Sequence, residues 1–249
     1  MKIYRMAEDY ISYWDHKFAT AYRIGTWGQD VNGKRIPVLP TIIEWDAPDE
    51  ETMGTDLIGN FTNVQWGLMV KLSVGEELQK EFKDFDLVPI EMYQNPKLKK
   101  PSKPNKRTKK RIWLPYEGPE LREIWIKKVI RPVIEKTHYP DNIGKEVGCY
   151  GRHSWTLPFD PQEEAVIKDS PLEGYKDIWN DELKANRPVK FPREKGYGYF
   201  FKEADLSDVD IFKFTENSPW IFCTERVVEF VTNKSYTNVE FFEVGETIK

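Results

Sequence analysis

An internal near-repeat constrains the fold of this chain more than any other feature of its sequence. One copy runs from Trp66, WGLMVKLSVGEELQKEFKDFDLVPIEM, and the other from Trp220, WIFCTERVVEFVTNKSYTNVEFFEV. Each opens with Trp and a short apolar strand, Leu68 to Leu72 or Ile221 to Cys223. A hydroxyl residue follows, Ser73 or Thr224, with Glu close behind. A hydroxyl at that place can cap the free N–H groups at the start of a helix. Leu78, Phe82 and Phe85 in one copy, and Val227, Val228 and Val231 in the other, supply the single apolar side that such a helix buries. Each copy ends in strand-like residues, Leu87 to Ile90 or Val239 to Phe242. The pattern predicts an α+β protein of two lobes with mixed β-sheets, each containing a related strand–helix–strand unit.

The boundary between lobes is set by charge. Lys97 to Arg111, KLKKPSKPNKRTKKR, holds seven Lys and two Arg with no acid, and two prolines. Such a run cannot pack into a core and reads as a solvated loop. The expected organisation is an N-terminal lobe at 1–95, a basic loop at 96–111 and a C-terminal lobe at 112–249. The whole chain carries a net charge of −4. Setting the nine loop cations aside leaves 28 basic residues against 41 acidic ones, a net −13. The loop could meet phosphates, but it lacks interleaved aromatic side chains for base stacking, and the acidic body would repel a polyanion.

Other local expectations follow from pattern. Lys2 to Met6 alternates like an edge strand, and Asn32-Gly33 supports a turn before Ile36. Leu121, Ile124, Trp125, Lys128, Val129 and Ile130 lie near helical spacing, with Pro132 to end the helix. From Tyr139 to Phe191 five prolines punctuate what reads as loops and short elements.

Catalytic chemistry finds few residues to use. The three histidines are His16, His138 and His153. Cys149 and His153 form the one nucleophile–base candidate, four residues apart, without a third group to orient the base. There is no CxxC, no HExxH and no GxxxxGK[ST], so no metal, nucleotide or other cofactor is expected. Gly196-Tyr197-Gly198 runs into aromatic residues and reads as a turn before a strand. Two cysteines are too few for a disulfide framework, the first residues lack a secretory leader, and no apolar run reaches a membrane span. A cytoplasmic setting is therefore expected. Two acidic groups with a neighbouring Trp are candidate partner-binding residues: Trp45, Asp46, Asp49, Glu50 and Glu51, and Asp177, Trp179, Asp181 and Glu182. Acids steer a basic partner and Trp supplies buried contact area.

The C-terminal residues add a resemblance. Asp208 to Phe212 (DVDIF) leads to Trp220 to Arg226 (WIFCTER), and the chain closes on Thr237 to Val244 (TNVEFFEV). This order resembles bacterial immunity proteins of polymorphic toxin systems, the myxobacterial-type immunity family, over about 40 residues. The Trp66 to Met92 unit matches more loosely. The resemblance implies a protein that binds and neutralises a cognate protein toxin without catalysis, and an acidic body fits a toxin with a basic groove, such as a nuclease. Some relatives carry paired CxxCG zinc motifs, which this chain lacks, so no metal carries over. Two other readings stay open from the sequence: an enzyme using Cys149 and His153, and a nucleic-acid binder using the 97–111 loop.

Overall fold

A computed structural model describes residues 1–14, 58–64, 67–94, 118–137, 173–215 and 220–249, with shorter pieces at 18, 20–23, 28–29, 31, 35–36, 41–46, 114–115 and 218. The first elements are β1 (Lys2–Ala7), α1 (Tyr10–Trp14), β2 (Thr20–Arg23), β3 (Gly28–Gln29), β4 (Arg35–Ile36) and β5 (Thr41–Asp46). The first repeat unit contributes β7 (Gly67–Lys71), α2 (Leu72–Glu81) and β8 (Phe85–Gln94), preceded by β6 (Phe61–Val64). Then come β9 (Leu114–Pro115), β10 (Leu121–Ile126), β11 (Gly174–Asn180), β12 (Ala185–Phe191), β13 (Tyr199–Lys202) and β14 (Ile211–Phe212). The second unit is β15 (Ile221–Thr224), α3 (Glu225–Asn233) and β16 (Glu240–Ile248). The protein is α+β with several sheets, the two large ones mixed, as the repeat predicts.

The two units share one topology. β7 and β8 are both antiparallel to β10, which lies between them, with Arg122 opposite Val70 on one side and Pro89 on the other. Likewise β15 and β16 are both antiparallel to β1, with Tyr4 opposite Cys223 and Glu243. Each helix therefore crosses between two strands that run the same way and are separated by an inserted third. The inserted strand is borrowed from elsewhere in the chain, β10 from beyond the basic loop and β1 from the N-terminus. Sheet membership thus crosses the 96–111 segment in both directions. That segment itself lies outside the described residues.

The sheet of the second unit has the order β13-β16-β1-β15-β14. The first unit belongs to a seven-stranded sheet, β10-β7-β6-β2-β5-β8-β9, in which β8 also pairs with β10. Six of its strands therefore close into a circuit, which removes free edges there. β3 and β4 pair with each other, consistent with the turn expected near Asn32-Gly33, although those two residues are outside the described set.

Three local expectations are corrected. Residues 121–126 are a strand, not a helix: Leu121, Glu123, Ile124 and Ile126 are buried, and pairing with β7 and β8 prevails over the helical spacing. β1 is central, not an edge. Ser73 caps nothing, since it lies inside α2 behind Lys71 at the cap position. Thr224 does occupy the cap position of α3, but its hydroxyl donates to Asp210 Oδ1 at 2.6 Å instead of receiving a helix N–H.

One core serves both units. Val74, Leu78, Phe82 and Phe85 of the first pack with Ile221, Cys223, Val227 and Val231 of the second, and Val228 packs against them. Phe82 and Phe230 meet edge to face at 5.5 Å. Polar ties close the seam: Lys234 Nζ and Tyr236 Oη both donate to Glu77, at 2.9 and 2.8 Å. Buried Asp84, which follows α2, accepts the backbone N–H groups of Asp210 and Ile211 at 2.8 and 3.0 Å. The opposite face of the β1 sheet holds a second, aromatic cluster with Tyr199, Phe201, Phe212, Phe214, Phe222 and Phe242. Phe214 and Phe222 stack there with centroids 3.7 Å apart. Alternation along β1 serves both cores, with Met6 in the first and Ile3 in the second.

Candidate protein-binding hairpin

The stretch before Phe191, expected as short irregular pieces, ends in a regular hairpin of two seven-residue strands, β11 and β12. Asn180 organises its turn: the side-chain oxygen accepts the N–H groups of Glu182 and Leu183 at 3.0 and 2.9 Å. Asn does this readily, offering the backbone a local acceptor. Lys184 takes a left-handed conformation, φ 49°, and lets the chain reverse. The Trp179 indole N–H donates to Asp181 Oδ1 at 2.9 Å.

The base of the hairpin is fastened to the body. Glu240 of β16 accepts the Tyr175 hydroxyl at 2.6 Å and Lys190 Nζ at 2.9 Å. Glu173 pairs with the same Lys190 at 2.9 Å and accepts the Glu243 N–H at 2.5 Å. Just beyond β12, Arg193 reaches Glu243 and Glu246 at 2.8 and 3.3 Å. Tyr175 stacks on Tyr10 at 4.9 Å, and Lys190 sits over the Phe242 ring. These contacts tune the charges. Burial and the bond to Glu240 hold the Tyr175 hydroxyl well above the ordinary tyrosine range. Burial works against the Lys190 ammonium, but Glu240 and Glu173 outweigh it and raise its pKa. Burial likewise raises Glu243, yet hydrogen bonds from Lys2 and Arg193 prevail and lower it.

Away from the base the hairpin turns apolar and exposed. Ile178, Trp179, Leu183 and Val189 are 51%, 57%, 60% and 47% exposed. Register places Ile178 opposite Arg187 and Val189 opposite Lys176, so these two apolar residues are diagonal neighbours on one face. Trp179 shares the other face with Tyr175, and Leu183 crowns the turn. Each face, and the end, therefore carries an exposed apolar residue among charged ones, which makes the tip a mixed contact surface. A soluble domain leaves such groupings exposed chiefly where something binds.

The structure thus brings Asp177, Trp179, Asp181 and Glu182 onto one hairpin, with only the backbone of Asp177 described. Trp45 and Asp46 end β5, opposite Ala21 and Thr20, and their side chains are outside the described set. Asp49, Glu50 and Glu51, like Cys149, His153 and the basic loop, lie outside the described residues. Sequence reasoning missed Ile178, Leu183 and Val189. The sequence carries little signal for them: Ile178 and Trp179 are adjacent rather than alternating, and Pro188 argues against a strand.

Elsewhere, a cleft between the two sheets is lined by Leu68, Glu123, Trp125, Lys213, Ser218 and Trp220. Its volume of about 30 Å³ suits one water, far below the few hundred Å³ of a ligand pocket. Gly196 and Gly198, at φ 85° and 115°, make the expected turn before β13. Cys223 is fully buried, and burial, with Asp210 nearby, pushes its thiol far above the ordinary range. Among the described residues no cluster of three or more His, Cys, Asp or Glu could hold a metal ion, and no helix is long and apolar enough to cross a membrane. No family model matches the chain, and no curated protein matches it.

Proposed function

We propose that this protein is a non-catalytic immunity protein that binds a cognate antibacterial toxin inside the producing cell, with the β11–β12 tip as its principal contact. The observation that carries the reading is the exposed group Ile178, Trp179, Leu183 and Val189 on a hairpin held rigidly at its base. Rigid aromatic and aliphatic anchors lose little entropy on docking and dominate interface energies. Asp181 and Glu182 beside them, on a body of net negative charge, favour approach to a basic surface. The resemblance of residues 208–244 to immunity proteins points the same way. Its motif residues serve as internal fastenings: the Asp210 carboxylate accepts the Thr224 hydroxyl at 2.6 Å and the Arg226 guanidinium at 2.5 Å. A motif of that kind fixes the fold and leaves the contact surface free to vary with the toxin.

Co-expression with the product of the gene immediately upstream tests the proposal. That product alone should arrest growth, and this protein should restore it through a complex that co-purifies. A harmless neighbour, or rescue without a complex, would remove the reading.

A further inference from the structure

The hairpin has two edges of unequal character. In an antiparallel pair the N–H and C=O groups of successive residues point to alternate edges. Pro188 sits in the middle of β12 opposite Asp177. Proline has no N–H, and within a sheet it occupies positions where its nitrogen faces away from the neighbouring strand. At the 177/188 pair both residues therefore turn their backbone groups outward. By alternation, the outward groups of β11 belong to Tyr175, Asp177 and Trp179. The outer edge of β12 has lost its central donor, while that of β11 keeps all of its own. Among the described residues, β12 is the only strand paired with β11. Natural sheets usually protect edges of this kind, and among the described residues only the β12 edge is protected.

From this asymmetry we infer that β11 receives an extended segment of the protein partner, which adds as a third strand beside Tyr175, Asp177 and Trp179. The inference rests on the toxin-binding reading and specifies its mode: a strand, not a helix or a folded loop. Backbone bonds supply affinity that is indifferent to the partner's side chains, while Ile178 and Trp179 on opposite faces of the same strand select apolar residues flanking the added one. Asp181 and Glu182, at the end of that edge, favour a basic residue just beyond it.

Two substitutions at one position separate backbone from side chain. Asp177→Pro removes an outward N–H without touching the β11–β12 ladder, and Asp177→Asn keeps it. Binding of the upstream gene product should weaken about tenfold or more in Asp177→Pro and less than about threefold in Asp177→Asn, with circular dichroism and melting unchanged. Equal affinity for both variants would overturn the inference. Amide exchange on the wild type guards against a misfolded variant. The Asp177 and Trp179 amides should exchange quickly in the free protein and at least tenfold more slowly in the complex. Unchanged exchange in a formed complex removes the added strand but leaves toxin binding intact; failure of the wild type to bind at all removes both.

Discussion

Removing the Asp84 carboxylate should cost more than any surface substitution, because it fastens the first repeat unit to the start of β14, the strand that pairs with β15 of the second. Its Oδ2 receives two backbone N–H groups, from Asp210 at 2.8 Å and Ile211 at 3.0 Å, and the residue is 4% exposed. Hydrogen bonds to a charged acceptor contribute about 1.5–3 kcal/mol each, and burial leaves no water to replace them. Asp84→Ala therefore strands one buried and one half-buried donor and should destabilise the fold by about 2–5 kcal/mol. Asp84→Asn keeps an acceptor oxygen without the charge and should lose about half as much. Urea unfolding followed by fluorescence, with comparable slopes for all three proteins, gives the difference directly. A loss below about 1 kcal/mol in Asp84→Ala would show that β14 stays docked on the first unit without this tie.

Three further outcomes follow from the packing. Gly245 has no room for a side chain, since a Cβ would lie 1.9 Å from the Tyr199 carbonyl oxygen on the neighbouring strand, so Gly245→Ala should disrupt the β13–β16 pairing and lower the melting temperature sharply. Cys223 should resist alkylation at pH 8 in the native protein and react on unfolding, because burial suppresses its thiolate. Glu243 has a folded pKa below its unfolded value of about 4.5, so its contribution is present above that pH and is lost as pH falls through the folded value. Protection of the hairpin-base amides, relative to their intrinsic exchange rates, should fall below pH 4.5 in the wild type, and less so in Glu243→Gln.

Much of this architecture was legible because the repeat units are local. Leu78, and Val227 with Val231, are buried on their helices as the spacing indicated. Phe82 and Phe85, expected on the first helix, are instead buried just beyond it, Phe82 in the extended residue that ends α2 and Phe85 at the start of β8. What the sequence concealed is long-range. Residues 121–126 carry enough apolar spacing for a helix, and only the gap between β7 and β8 makes them a strand. β1 looked like an edge because polar and apolar residues alternate from Lys2 to Met6, whereas the Arg5 guanidinium lies against the Trp220 and Phe242 rings at 4.7 and 4.6 Å. The candidate site was half legible. Trp179 with Asp181 and Glu182 stood out as composition, but the apolar partner Val189 belongs to the tip only through strand pairing. The hydroxyl of Thr224 was read as a helix cap, and the structure gives it to Asp210 instead, a residue 14 positions earlier.

The most direct test of the tip as the toxin-binding surface is calorimetry with the purified upstream gene product against wild type and the Trp179→Ala, Leu183→Ala double variant. Loss of two apolar anchors should weaken binding by about 2–4 kcal/mol, a roughly 30- to 1,000-fold rise in Kd, with the melting temperature unchanged because both side chains are exposed. A Kd within threefold of wild type would contradict the assignment and place the contact surface elsewhere on the protein.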